Sequence, residues 1–215
     1  MSKPYTADDF SRFVVADRTW RIREISDLKT AIRRADQNLE KVLLRALVTI
    51  SYAHWEGHVR SSARLYLTHI ALRKHPYSML SPQFLKNYFL PRLTALSTSK
   101  GNLASKCILL DEVLSSSNKQ FTRINDDLVN TKSNLNSEVL REICLICDVP
   151  NEAFVEYEAF IDAILLKRRN AIAHGEDTFI AKDDLNEVTD KTVSLMRMFG
   201  DALDNQVQLR TYMAA

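Results

Sequence analysis

Glycine and proline are scarce in this chain, at 4 and 5 of 215 residues. Few positions can form the tight turns that a multi-stranded sheet needs, so the shortage points to long helices. Cysteine is nearly absent as well. Three, an odd number, do not make a disulfide framework and suit a reducing compartment. Nor is there a long hydrophobic run: the most apolar stretch, Val42 to Ala53, is interrupted by Arg45 and falls short of the ~20 residues that span a bilayer. The opening residues carry no apolar stretch after Lys3 and do not read as an export signal. The expectation is a cytoplasmic protein with no membrane contact. A strong charge of one sign is missing too. Net charge +2 and a pI near 8.4 permit nucleic-acid binding without arguing for it.

What the chain does have is 46% hydrophobic residues, enough at this length to bury a sizeable core. Their spacing is helical. Phe10, Val14, Ile22, Ile25, Leu28 and Ile32 predict a helix over 8–36, with Thr6 or Asp8 as N-cap. A second stripe from Leu39 to Ile70 predicts a long helix over 38–74, stopped by His75-Pro76. Ser81-Pro82 opens a further helix, which Pro91 and Lys100-Gly101 are expected to break into one or two short pieces. Residues 121–136, rich in Asn, Asp, Ser and Thr, read as loop. Helices are then expected over 137–148, from after Pro150-Asn151 to His174, and over 182–209, with Gly175 as a left-handed cap. The reading is one all-α domain over 1–215, an antiparallel bundle with helices 6–36 and 182–209 flanking its core.

The segment that can carry chemistry is Lys167-Arg-Arg-Asn-Ala-Ile-Ala-His174-Gly-Glu176. Asn170 and His174, four apart, share one helix face, and the long Arg169 side chain can swing back toward the imidazole. A histidine titrates near neutrality, so it can take the proton of a ribose 2′-hydroxyl or give one to the leaving 5′-oxygen. Arginine grips phosphate by bidentate, charge-assisted bonds, and asparagine can orient either group. Such 2′-hydroxyl attack needs neither metal nor cofactor, and none is expected. One histidine supplies only an acid or a base. Two copies meeting across a two-fold axis would supply both, which favours a homodimer. The plainer alternative is a charged C-terminal helix turn with a glycine cap.

Arg169-Asn-Ala-Ile-Ala-His174 fits the Arg-polar-(three residues)-His signature of the HEPN superfamily. The wider RRNAIAHGE resembles the small prokaryotic endoribonuclease branch related to the RiboL-PSP-HEPN group. The stretches SYAHWEGHVRSSARLYL (51–67) and KSNLNSEVLREIC (132–144) support that likeness, which covers roughly 38–180. The resemblance implies a helical bundle that dimerises through its motif helices and cuts RNA without a metal. It further implies a toxin or an antiviral defence effector, with an antitoxin or neighbouring defence protein as a further partner. Arg169, Asn170 and His174 then carry over as catalytic residues. Relatives silenced by nucleotide addition often carry a tyrosine two residues after the histidine. Here that residue is Glu176, which removes support for that control. A non-catalytic dimer binding RNA or a partner protein is the alternative.

Other residues invite the same question. His54 and His58 have the i, i+4 spacing of two metal ligands, but Glu56 sits at the wrong offset for a His-Glu-x-x-His site. They are expected to face the cleft or the dimer. Glu56 is expected to support the site by pairing with Arg169 or orienting His174. Gly57, costly inside a helix, suggests close approach of another backbone. Cys144-Leu-Ile-Cys147 lies in an apolar run and reads as core. Arg33-Arg34 and Lys167-Arg168 could line an RNA path, and Trp20 and Trp55 could stack bases. Solvated surface and core packing are the commoner fates of such residues.

Overall fold

The computed structural model describes residues 3–98, 102–125, 127–132 and 134–214. It is all-α, and no strand occurs among the described residues. α1 (Ala7–Arg34) starts at a capping box: Thr6 accepts from the Asp9 backbone amide, and the Asp9 carboxylate accepts from the Thr6 amide. α2 (Gln37–Leu72) follows after a two-residue corner, where Asp36 caps it by accepting from the amides of Asn38 and Leu39. Its 36 residues reach about 54 Å. α7 (Asp184–Leu209) packs against both.

These three helices contribute much of the core. Phe10, Val14, Ile25 and Ile32 of α1 meet Leu47, Trp55, Val59 and Tyr66 of α2 and Leu195, Phe199 and Leu203 of α7. Trp55 meets Phe199 edge to face at 6.3 Å between centroids. Full burial of each such side chain contributes roughly 1.5–3 kcal/mol. The terminal helices therefore do not flank a core held elsewhere. They are part of it.

α3 (Pro82–Thr98) and α4 (Leu103–Ser115) form a second layer. Pro91 was expected to break α3 but lies inside it. A proline removes one intrahelical bond, and the turns on either side are held here. Phe84 and Phe89 are buried before it, and Arg92 pairs with Glu112 of α4 after it. α5 (Ser137–Ile146) is capped by Asn136. The expected single helix from 151 to 174 is replaced by three pieces. A 3₁₀ segment (Glu152–Tyr157) leads into a π-helical segment (Phe160–Lys167), and α6 (Arg168–Ala173) completes the run. The wider π turns bury Phe160, Ile161 and Leu165 together, and one-residue-longer turns delay the point at which the motif comes round to α2.

Candidate functional site

The motif sits where α6 crosses the middle of α2. His174 caps α6, and the chain leaves through a Schellman turn: Glu176 N–H donates to the Ala171 carbonyl at 2.9 Å and Gly175 N–H to that of Ile172 at 3.1 Å. Gly175 has φ +81°, the left-handed value this turn requires. Arg45 of α2 holds the segment that follows, donating to the carbonyls of Glu176 (2.9 Å) and Thr178 (3.2 Å). The residue that interrupts the apolar run of α2 thus fastens the motif helix to it.

Arg169 turns toward α2. Its guanidinium carbon lies 4.0 Å from the centre of the Tyr52 ring, and Nη2 is 3.9 Å from Oε2 of Glu56. Tyr52 and Glu56 are four apart and share the face of α2 that meets α6. Both are held from the far side by the 121–136 segment. Thr131 donates its hydroxyl to Glu56 at 2.5 Å, and the Leu135 backbone amide donates to the Tyr52 hydroxyl at 2.6 Å. Asn170 donates to the side-chain carbonyl of Asn134 at 3.2 Å. Burial, then the Glu56 charge, push the Tyr52 phenol above its usual value, so it stays neutral beneath the guanidinium.

Arg169 meets Glu56 and Tyr52 of α2, Asn170 meets Asn134, and His174 is exposed at the end of the same helix. Segment 121–136 is irregular, as its composition suggested, but it is packed. Val129, Thr131 and Leu135 are almost fully buried. Tyr52, Thr131, Asn134 and Arg45 escaped the sequence reading. Tyr52 was within reach of it, lying one turn before Glu56 on the same face. Thr131 and Asn134 were not, because an irregular segment has no periodicity to predict its contacts.

The neighbouring histidines go elsewhere. His54 and His58 face α1, not the cleft: His54 Nε2 is 2.7 Å from Glu24, and His58 Nδ1 is 2.8 Å from Asp17. His54 stays below the ordinary histidine value because burial outweighs the pull of Glu24. Asp17 is pushed up by burial but held down to about 2 by hydrogen bonds from His58 and Arg21 and by their charges. Gly57 is crowded by the Arg21 guanidinium, not by a backbone: a Cβ there would meet Arg21 Nη1 at 2.6 Å. Cys144 and Cys147 are buried in the core, and burial raises the Cys144 thiol to about 12. No cluster of three or more metal-ligating side chains occurs among the described residues.

One residue of each basic pair is engaged. Arg168 binds Asp184 at 2.6 Å, and Arg33 donates to Asn186 at 3.1 Å. Trp55 is core, whereas Trp20 is 48% exposed with Arg21 lying over it. No described helix is long and apolar enough to cross a membrane.

Comparison with curated proteins and with solved structures gives no match. The RiboL-PSP-HEPN family model matches residues 16–205, a span wider than 38–180 that takes in most of α1 and α7. With the Arg169–His174 motif seated inside that match, the chain belongs to the RiboL-PSP-HEPN family, whose fold is all-α and whose members point to a nuclease or RNA-related role.

Proposed function

We infer that this protein is an endoribonuclease that works as a homodimer and cuts RNA by attack of the ribose 2′-hydroxyl, without a metal, as a toxin or antiviral defence effector. The observation that carries the reading is the placement of Arg169: a guanidinium stacked on Tyr52 and set by Glu56, next to an exposed histidine at a helix end. An arginine fixed before substrate arrives can grip a phosphate with little reorganisation. Asn170, one residue on and anchored to Asn134, orients the phosphate or the ring. His174 is reachable by solvent and therefore by RNA, and it moves the proton. In the dimer one His174 acts as base toward the 2′-hydroxyl while its symmetry mate protonates the leaving 5′-oxygen. Glu56 acts through Arg169 and is a positioning residue.

Labelled RNA incubated with the purified protein in EDTA tests this. Products ending in 2′,3′-cyclic phosphate, lost in His174→Ala while sedimentation still shows a dimer, are the expected result. Cleavage by the mutant at the wild-type rate would overturn the assignment, and a strictly monomeric chain would remove the second histidine. Saturable, salt-sensitive binding with no product would instead leave a non-catalytic RNA-binding dimer.

A further inference from the structure

α4 has one face that no described residue covers. Its opposite edge lies on α3, with Leu109 buried there and Glu112 paired to Arg92. The open face carries Leu103, Cys107, Leu110 and Leu114. Their spacing of four, three and four keeps them within about 60° of one another around the helix. Leu103 is 77% exposed, Leu110 61% and Leu114 83%, and Cys107 is exposed with them. A single bare leucine is ordinary on a protein surface, but an aligned row on a regular helix marks a contact surface.

The flanks of the row say what the contact is. Lys106 stands on one side of it and Asp111 on the other, both exposed. Among the described residues neither has an ion-pair partner in its own chain. When a second α4 is laid parallel on the row, unlike flanks meet. Lys106 of each helix then falls beside Asp111 of the other, five residues on, the offset at which parallel paired helices form interhelical ion pairs. In an antiparallel pair like flanks meet instead, so that Lys106 faces Val113 and Asp111 faces Ala104. The parallel arrangement alone pairs the charges, and its two-fold axis repeats the pair. It also sets Cys107 against its own counterpart.

A free helix of 13 residues would not hold such a pairing, because it would have to fold first. α4 is already ordered on α3, so association carries little of that entropic cost. We propose that α4 is a self-association surface through which two copies of this chain pair as parallel helices. Leu103, Cys107, Leu110 and Leu114 form the seam, and Lys106–Asp111 ion pairs fix its direction. A seam this short belongs with interfaces below about 1,200 Å², so the pairing is weak and depends on concentration. It shares no residue with the Arg169–His174 site and is independent of the nuclease reading. A chain that used both faces would assemble beyond a dimer.

Mild oxidation of the full-length protein with copper-phenanthroline reads out the seam, because Cys144 and Cys147 are buried and Cys107 is exposed. A disulfide-linked dimer is expected at micromolar protein, and none in Cys107→Ser. Adding Ser115→Cys to Cys107→Ser moves the thiol off the seam and should make crosslinking about tenfold slower. Leu110→Asp should slow the wild-type reaction about as much with unchanged melting temperature, since that side chain stands in solvent. Lys106→Glu should slow it as well, and Lys106→Glu with Asp111→Lys should restore it. Equal crosslinking at positions 107 and 115, or an unaffected Leu110→Asp protein, would overturn the proposal. Charge reversals without effect would also overturn it. So would a protein that stays uncrosslinked while cosedimenting with phosphatidylcholine–phosphatidylglycerol vesicles, since the face would then belong to a lipid surface.

Discussion

The two sides of α2 carry similar chemistry to opposite ends. Tyr52 and Glu56 form one i, i+4 pair, and His54 and His58 form another, offset by two residues and so on the opposite face. On the histidine side both imidazoles are buried and meet carboxylates of α1: His54 meets Glu24, and His58 is fully buried against Asp17, with Ser61 and Arg21 completing that carboxylate's bonds. On the Tyr52 side Tyr52 is buried, Glu56 and Arg169 are partly shielded, and the one exposed histidine lies on the neighbouring helix end. An imidazole locked between helices contributes to folding. One standing at a capped terminus can exchange protons with a substrate.

That contrast can be challenged by exchanging readouts between the sides. The largest effect belongs to His174→Ala, expected to lower RNA cleavage by roughly 10²–10⁴-fold with no change in thermal melting. A melting loss of several degrees with activity retained would reverse the roles assigned to the two faces. His58→Ala should do the opposite, costing roughly 1–3 kcal/mol in urea unfolding because a buried bond to Asp17 is lost. Next comes Glu56→Gln, expected to slow cleavage about tenfold with stability within ~1 kcal/mol, since the Thr131 bond can persist. Gly175→Ala is smaller again. A Cβ there meets nothing within 4 Å, so the cost is the positive φ alone, about 1 kcal/mol by chemical denaturation.

Acid should act on the closed side and at His69, which burial also holds below the ordinary histidine value. His54 titrates lower when folded than when unfolded, so protonation favours the unfolded chain and stability declines as pH falls below about 6.5. Asp17 is depressed from 3.8 to about 2, so its contribution is intact above 3.8 and is lost as pH falls toward 2. Melting temperatures from pH 7 to pH 2 should therefore fall in two stages, and the His58→Ala protein should show a weaker second stage. An unchanged second stage would sink the Asp17 assignment.

Much of this architecture was legible because its signals are periodic or local. The stripes of α1, α2 and α7 mark their buried faces directly, and Gly175 marks the end of α6 within one residue. The facing of His54 and His58 was not legible. Spacing says that two residues share a face, and only the partner helix says which way that face looks. Pro91 misled for a related reason, since a backbone rule set by one residue yielded to an anchor on another helix, the Arg92–Glu112 pair. The π segment was hidden as well: its residues are ordinary helix formers, and the wider turns come from packing Phe160, Ile161 and Leu165 at once.

That wide-turned segment has an evolutionary consequence. A π turn takes up about one residue more than an α turn, so removing one residue between Phe160 and Lys167 would let the backbone relax to ordinary pitch with the downstream helix nearly in phase. Arg169 would stay close to the Tyr52 ring. The segment behaves as slack in the chain, so a single-codon deletion there should be tolerated better than one inside the regular turns of α2.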